Sequence, residues 1–183
     1  MIRLFVLFLG LLVFRASPAD MPAGWRPVGV AAGWFLLVGL LLGLSSDMAR
    51  TDWPGAVGQS LLDSGLDLLV LAGYSVAWAR VRRFSLRTPQ MLTALFGALG
   101  MLGVLFVPLM AWMPSDMSNP AAFGGWGWLV MALFLWNLVV AGQIYRRTLS
   151  LSAGVGVLMA LGYFVASAAV SLGLSYAFPG IDS

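Results

Sequence analysis

The chain has 183 residues, of which 61% are hydrophobic and 9% charged, and its mean hydropathy is +0.94. A soluble domain carries about 45–50% apolar and about 25% charged residues, so a water-soluble globule and a disordered chain are both excluded and an integral membrane protein remains. There is no Cys, His, Glu or Lys, all ten cations are Arg and all seven acids Asp. That composition removes disulfides, thiol chemistry and the commonest general base and metal ligand.

From the N-terminus, the first apolar run is Leu4–Phe14, 11 residues between Arg3 and Arg15. A span needs about 20 apolar residues, so this run is too short to cross in the ordinary way. It reads as a short helix within an interfacial segment, residues 1–27. Five longer segments follow, at about Val28–Ser46, Ser60–Trp78, Gln90–Trp112, Gly125–Tyr145 and Leu151–Phe178. The gaps hold the breakers and charges: Pro54 and Gly55, then the arginines with Pro89, then Pro114, Asp116, Asn119 and Pro120, then Arg146 and Arg147. The expected fold is all-α, one polytopic membrane domain of five transmembrane helices preceded by a short N-terminal apolar helix, the last two forming a tight hairpin.

Charge decides the orientation. With an uncleaved cytoplasmic N-terminus and five spans, Arg3, Arg15, Arg26, Arg80, Arg82, Arg83, Arg87, Arg146 and Arg147 lie inside and only Arg50 outside. This matches the excess of cytoplasmic Lys and Arg in membrane proteins and puts the C-terminus in the periplasm of a bacterial inner membrane. Reading Arg3, the apolar run and Ser17-Pro18-Ala19 as a cleaved signal peptide would export the basic loop. A six-span alternative, in which Leu4–Phe14 crosses, displaces only Arg3. Trp53, Trp112, Trp126 and Trp128 at the outer ends, with Trp25 and Trp78 at the inner ends, form the expected aromatic belts. The basic loop of Arg80, Arg82, Arg83 and Arg87 suits anionic lipid at about 1 kcal/mol per cation. Nucleic acid is not an expected partner, because no soluble domain is present to carry it.

Helices in lipid associate through close packing of small residues. Gly29 with Gly33 and Gly39 with Gly43 are GxxxG spacings in the first span. Gly97 joins Thr93, Gly100 and Gly103 in the third. Gly156 lies between Ser152 and Ala160 in the fifth, and Ser167, Ser171 and Ser175 continue that spacing. These faces serve either one compact bundle or contact with other membrane subunits or a second copy. Pro108 inside the third span frees a backbone carbonyl one turn back.

Asp63 and Asp67 are the most unusual residues. At i and i+4 they share one helix face, with Asp67 about 10 Å below the Ser60 end. A carboxyl at that depth faces protein or water. One reading is a proton or cation site. The other gives Asp63 a headgroup-level role beside Arg50, within a loop cluster of Asp47, Arg50 and Asp52, and bonds Asp67 to Ser171 or Ser175. Asn137, at the middle of the fourth span, is expected to bond another helix. No phosphate loop, zinc set or acid–base constellation is present, so no enzyme activity, metal or cofactor is expected.

Two stretches, Phe14-Arg15-Ala16-Ser17-Pro18-Ala19-Asp20-Met21-Pro22 and Leu135-Trp136-Asn137-Leu138-Val139-Val140-Ala141-Gly142-Gln143-Ile144-Tyr145-Arg146-Arg147, within this order of spans, resemble small proteobacterial inner-membrane proteins related to the five-span Yip family. The resemblance implies an interaction or membrane-organising role and carries no catalytic residues. The function expected first is therefore a non-enzymatic accessory or assembly subunit working through helix–helix contacts. The alternative is a small transporter or channel subunit using Asp63 and Asp67.

Overall fold

A backbone in hydrocarbon must satisfy its own polar groups, which a helix does within one segment. The computed structural model describes residues 2–47, 53–114 and 120–177, and every regular element among them is helical. In chain order these are α1 (Ile2–Leu12), α2 (Trp25–Asp47), α3 (Trp53–Val81), α4 (Thr88–Ala111), α5 (Pro120–Leu149) and α6 (Ala153–Ala177), with single 3-10 turns at Pro18–Asp20 and Ser85–Arg87. Helices α2 to α6 are each long and apolar enough to cross a membrane. The protein is an all-α, multi-pass membrane helix bundle.

Helices α2 to α5 are longer than hydropathy alone marks, most of all α3, which starts at Trp53 rather than Ser60, whereas α6 starts later, at Ala153 rather than Leu151. Proline explains much of the difference. Pro54 is the second residue of α3, Pro89 the second of α4 and Pro120 the first of α5. A first-turn residue needs no intrahelical N–H bond, so these prolines open helices rather than marking loops.

Helix α4 is the hub. Half of its most apolar stretch is buried, against 17–22% for the other spans. The buried run extends from Met91 through Gly100. Its glycines admit the neighbours. A Cβ on Gly97 would lie within the Phe8 ring of α1, one on Gly100 would press on Trp34 of α2, and one on Gly103 on Val38 of α2. Helix α2 pairs next with α3, where Gly39 faces Ser64 and Gly43 faces Ser60. The α5–α6 hairpin closes through Gly142 against Val157 and Gly156 against the Gly142 carbonyl.

The N-terminal segment does not lie loose at the interface. Phe8 is 1% exposed beneath α4, and Phe5 packs edge-on against Trp34 with centroids 5.1 Å apart. The following loop is tied down by two side chains. Arg147 donates to the carbonyls of Ala16 (2.6 Å) and Phe14 (3.4 Å), and Gln90 donates to that of Met21 (2.9 Å). Ser17 and Asp20 form a reciprocal capping box on the 3-10 turn. Within residues 1–27, α1 is therefore packed against α4 and α2.

We call the end carrying Arg80, Arg82, Arg83, Arg87, Arg146 and Arg147 the arginine end. There the bundle is tight. At the far end it splays, and every residue of α6 from Ala168 to Leu174 is exposed. At the far end an indole closes one helix terminus, as Trp126 Nε1 donates to the Leu109 carbonyl of α4 (2.8 Å).

Three helices finish at the arginine end in the same way. In α1 the Phe14 N–H bonds the Leu11 carbonyl and Arg15 N–H bonds Gly10; in α3 the Arg83 N–H bonds Arg80 and Phe84 N–H bonds Ala79; in α5 the Leu151 N–H bonds Arg146. This is the Schellman pattern, and it puts Phe14, Arg83 and Ser150 at φ of 60°, 62° and 54°. An L-residue in that conformation costs about 1–2 kcal/mol, a cost glycine avoids. Ser150 is exposed and free of packing demands. Ser150→Gly is expected to stabilise the protein by about 1 kcal/mol, read as a rise in the thermal unfolding midpoint in detergent. Ser150→Val should lower it.

Candidate functional site

Helix α3 runs antiparallel to α6, and their facing register brings Asp67 to Tyr163 and Ser167. Both hydroxyls donate to the same oxygen, Asp67 Oδ1, each at 2.6 Å. Both are at the short end of the O–H···O range. Tyr163 and Ser167 are at i and i+4, so one face of α6 supplies both donors. Tyr163 is 2% exposed, and its ring packs against Phe164 and toward Tyr74. Asp67 Oδ2 accepts no hydrogen bond from a described residue and is not among the sealed polar atoms.

Asp67 borders an open cavity of about 550 Å³ in the far half of the bundle. All five spans contribute to its wall. Phe35 and Gly39 come from α2, Ser60, Asp63, Ser64 and Asp67 from α3, Leu99, Gly103 and Phe106 from α4, Asn137 from α5, and Tyr163, Phe164, Ser167 and Ser171 from α6. No arginine is among the described residues that line it. The serines of α3 turn their hydroxyl protons away. Ser60 donates to the Ala56 carbonyl and Ser64 to that of Ser60, both at 2.7 Å. Such i−4 bonds satisfy the hydroxyl proton inside its own helix.

Toward the arginine end the cavity stops at a tyrosine cluster. Tyr74 lies 6.5 Å from Tyr163 and 6.3 Å from Tyr145, ring centre to ring centre, and Tyr145 shares a 2.8 Å hydrogen bond with Ser75. Tyr145 and Ser75 are fully buried. Ser75 lies eight residues, about 12 Å, from Asp67, so the cluster separates the cavity from the arginine end.

The residues singled out in the sequence distribute as follows. Asp63, Asp67, Asn137 and Ser171 all border the cavity. The expected bond from Asp67 to Ser171 or Ser175 is corrected: Ser167 and Tyr163, about one and two turns deeper than Ser171, hold it, while the side chain of Ser175 lies outside the described residues. Asn137 does not bond another helix. Its Oδ1 is buried with no partner among the described residues. Arg50 and Asp52, and the side chain of Asp47, lie outside the described residues. Gly39, Gly43, Gly97 and Gly156 are close-packed contacts, whereas a Cβ on Gly29 or Gly33 would meet nothing, which removes those two from intramolecular packing. Arg80, Arg82, Arg83 and Arg87 are exposed, with Arg87 over the Phe84 ring at 5.7 Å. Among the described residues no three His, Cys, Asp or Glu side chains come together as a metal site.

Tyr163 is the residue that sequence reasoning passed over. A tyrosine ten residues into an apolar helix, with a serine at i+4, was the available signal. Comparison of the chain with protein-family models, with curated proteins and with solved structures returns no match.

Tyr163→Phe and Ser167→Ala each remove one donor and leave the other. Each is expected to cost about 1–2 kcal/mol, read by denaturation in mixed micelles. The double variant should cost more than the sum, because Asp67 then loses both donors that the described residues provide.

Proposed function

We propose that the chain is a small transporter or channel subunit of a bacterial inner membrane, with Asp67 as its solute-binding carboxyl and Asp63 one turn nearer the opening. The observation that carries this reading is that Asp67 is held by two hydroxyls on one oxygen while its other oxygen remains available beside a 550 Å³ cavity. A carboxyl kept at that depth only to join two helices has no use for a cavity. Ionisable groups in spans mark solute and proton paths by default. On this reading the arginine end faces the cytoplasm, as the excess of cytoplasmic Arg in membrane proteins favours, and the cavity lies on the periplasmic side, with the N-terminus in the cytoplasm and the C-terminus outside. No enzyme chemistry enters this reading.

Reconstitution tests it. In proteoliposomes under an imposed pH gradient and membrane potential, the protein is expected to carry cation or proton flux, and Asp67→Asn should reduce it to the level of empty vesicles. A wild-type protein that carries no flux, or an Asp67→Asn protein that carries as much, defeats the proposal.

A second reading has its own support. Gly29 and Gly33 are exposed, and so are the residues of α6 from Ala168 to Leu174. These surfaces suit a helix of another subunit or a second copy, and thus an accessory or membrane-organising role of the kind that kinship with the Yip family would imply. The chain has no cysteine, so a single Gly33→Cys is a clean reporter. Self-association through this face predicts a covalent dimer on mild oxidation in native membranes. A monomer restricts the face to lipid or to a different subunit.

A further inference from the structure

The cavity also states what it can bind. Hydroxyl groups have one proton to donate and two lone pairs to accept with. On the α3–α6 wall the protons of Ser60, Ser64, Tyr163 and Ser167 are all committed, two to helix carbonyls and two to Asp67. Besides the Ser171 hydroxyl, which can donate or accept, what this wall still offers is acceptor capacity: lone pairs on four hydroxyls and the second oxygen of Asp67. On α5, Asn137 adds a buried carbonyl oxygen that no described residue bonds. Acceptors in excess, the carboxyl of Asp67 and the absence of a cation among the described lining residues select a ligand that donates and is positive.

Size and the remaining wall narrow the class. A volume of about 550 Å³ lies within the range of small-molecule sites, about 300–1,000 Å³. A bare metal ion needs a tight shell of six or more oxygens, and this lining is mostly carbon. Phe35, Phe106 and Phe164 border the same space, and aromatic faces attract cations as well as apolar groups.

We propose that the cavity binds a small organic cation, a protonated amine on an apolar body, with its N–H groups at Asp67 Oδ2 and its body against Phe35, Phe106 and Phe164. This inference rests on the solute-binding reading of the cavity and specifies its ligand.

Calorimetry on the full chain in lipid nanodiscs tests it, with benzylammonium as probe and benzyl alcohol, benzoate and Na⁺ as comparators. Benzylammonium is expected to bind at least about tenfold more tightly than benzyl alcohol, and benzoate not at all. Asp67→Asn should reduce the amine to the level of the alcohol, while Phe106→Ala weakens it about three- to tenfold. Excess Na⁺ should not displace it. Absence of benzylammonium binding, equal affinity for the alcohol, displacement by Na⁺, or full affinity in a correctly folded Asp67→Asn protein would overturn the proposal. Should Asp67→Asn fail to fold, Phe106→Ala decides, and unchanged amine affinity there is equally fatal. Proton or Na⁺ flux without amine binding defeats this inference and leaves the transport reading intact. Amine binding without flux of any solute does the reverse.

Discussion

How near α4 can come to its neighbours sets the whole arrangement. In lipid, two apolar helices gain nothing from hiding carbon from water, so close contact must hold them together. Helix α4 meets that condition with three glycines along its middle turns, each filled by a side chain of another element: Phe8 at Gly97, Trp34 at Gly100 and Val38 at Gly103. Phe8 comes from a helix of 11 residues that could not span a bilayer and is held there by the hole that Gly97 leaves. The loop after it is fixed by Arg147 and Gln90. Arg147, one of the arginines that mark that end, therefore also ties the N-terminal loop to the bundle there.

The same constraint accounts for the cavity. Helices α2 and α3 stay in contact toward the far end because Gly39 and Gly43 receive Ser64 and Ser60. Helices α5 and α6 meet most closely near their short connection, through Gly142 and Gly156. In the far half of α6 a Cβ on Gly173 would meet nothing, and there all five spans border one space. The two ends differ in which small residues find a partner, and the polar groups of α3 and α6 lie where packing gives out.

Much of this was legible in the sequence. Five apolar stretches of span length leave few alternatives, and the arginines mark one end. Helix starts were less legible, because Pro54, Pro89 and Pro120 read as loop residues when they are first-turn residues. That error had a consequence at the site. Starting α3 at Ser60 puts Asp67 two turns from the helix end and level with Ser171. The real start at Trp53 sets Asp67 two turns deeper, where it meets Ser167 and Tyr163. Periodicity located the small-residue faces but not their partners. Gly97 was legible as a packing position, yet nothing in its spacing names Phe8. Gly29 and Gly33 carry the same motif as Gly39 and Gly43, yet a Cβ on either would meet nothing, because the motif specifies that a neighbour can approach, not that one does.

The choice of residue at position 67 separates the structural role from the functional one. The bonds from Tyr163 and Ser167 both end on Oδ1. An asparagine could accept both through its carbonyl oxygen, and it would avoid the desolvation cost that a carboxyl carries at this depth. Helix joining alone therefore favours the amide, and this chain places an amide at Asn137 at a comparable depth. The carboxyl differs from the amide at the second oxygen, where it offers an acceptor in place of two donors. That oxygen takes no bond from the described residues. In a chain with so few ionisable side chains, the atom that distinguishes Asp67 from its cheaper substitute is the one left available beside the cavity.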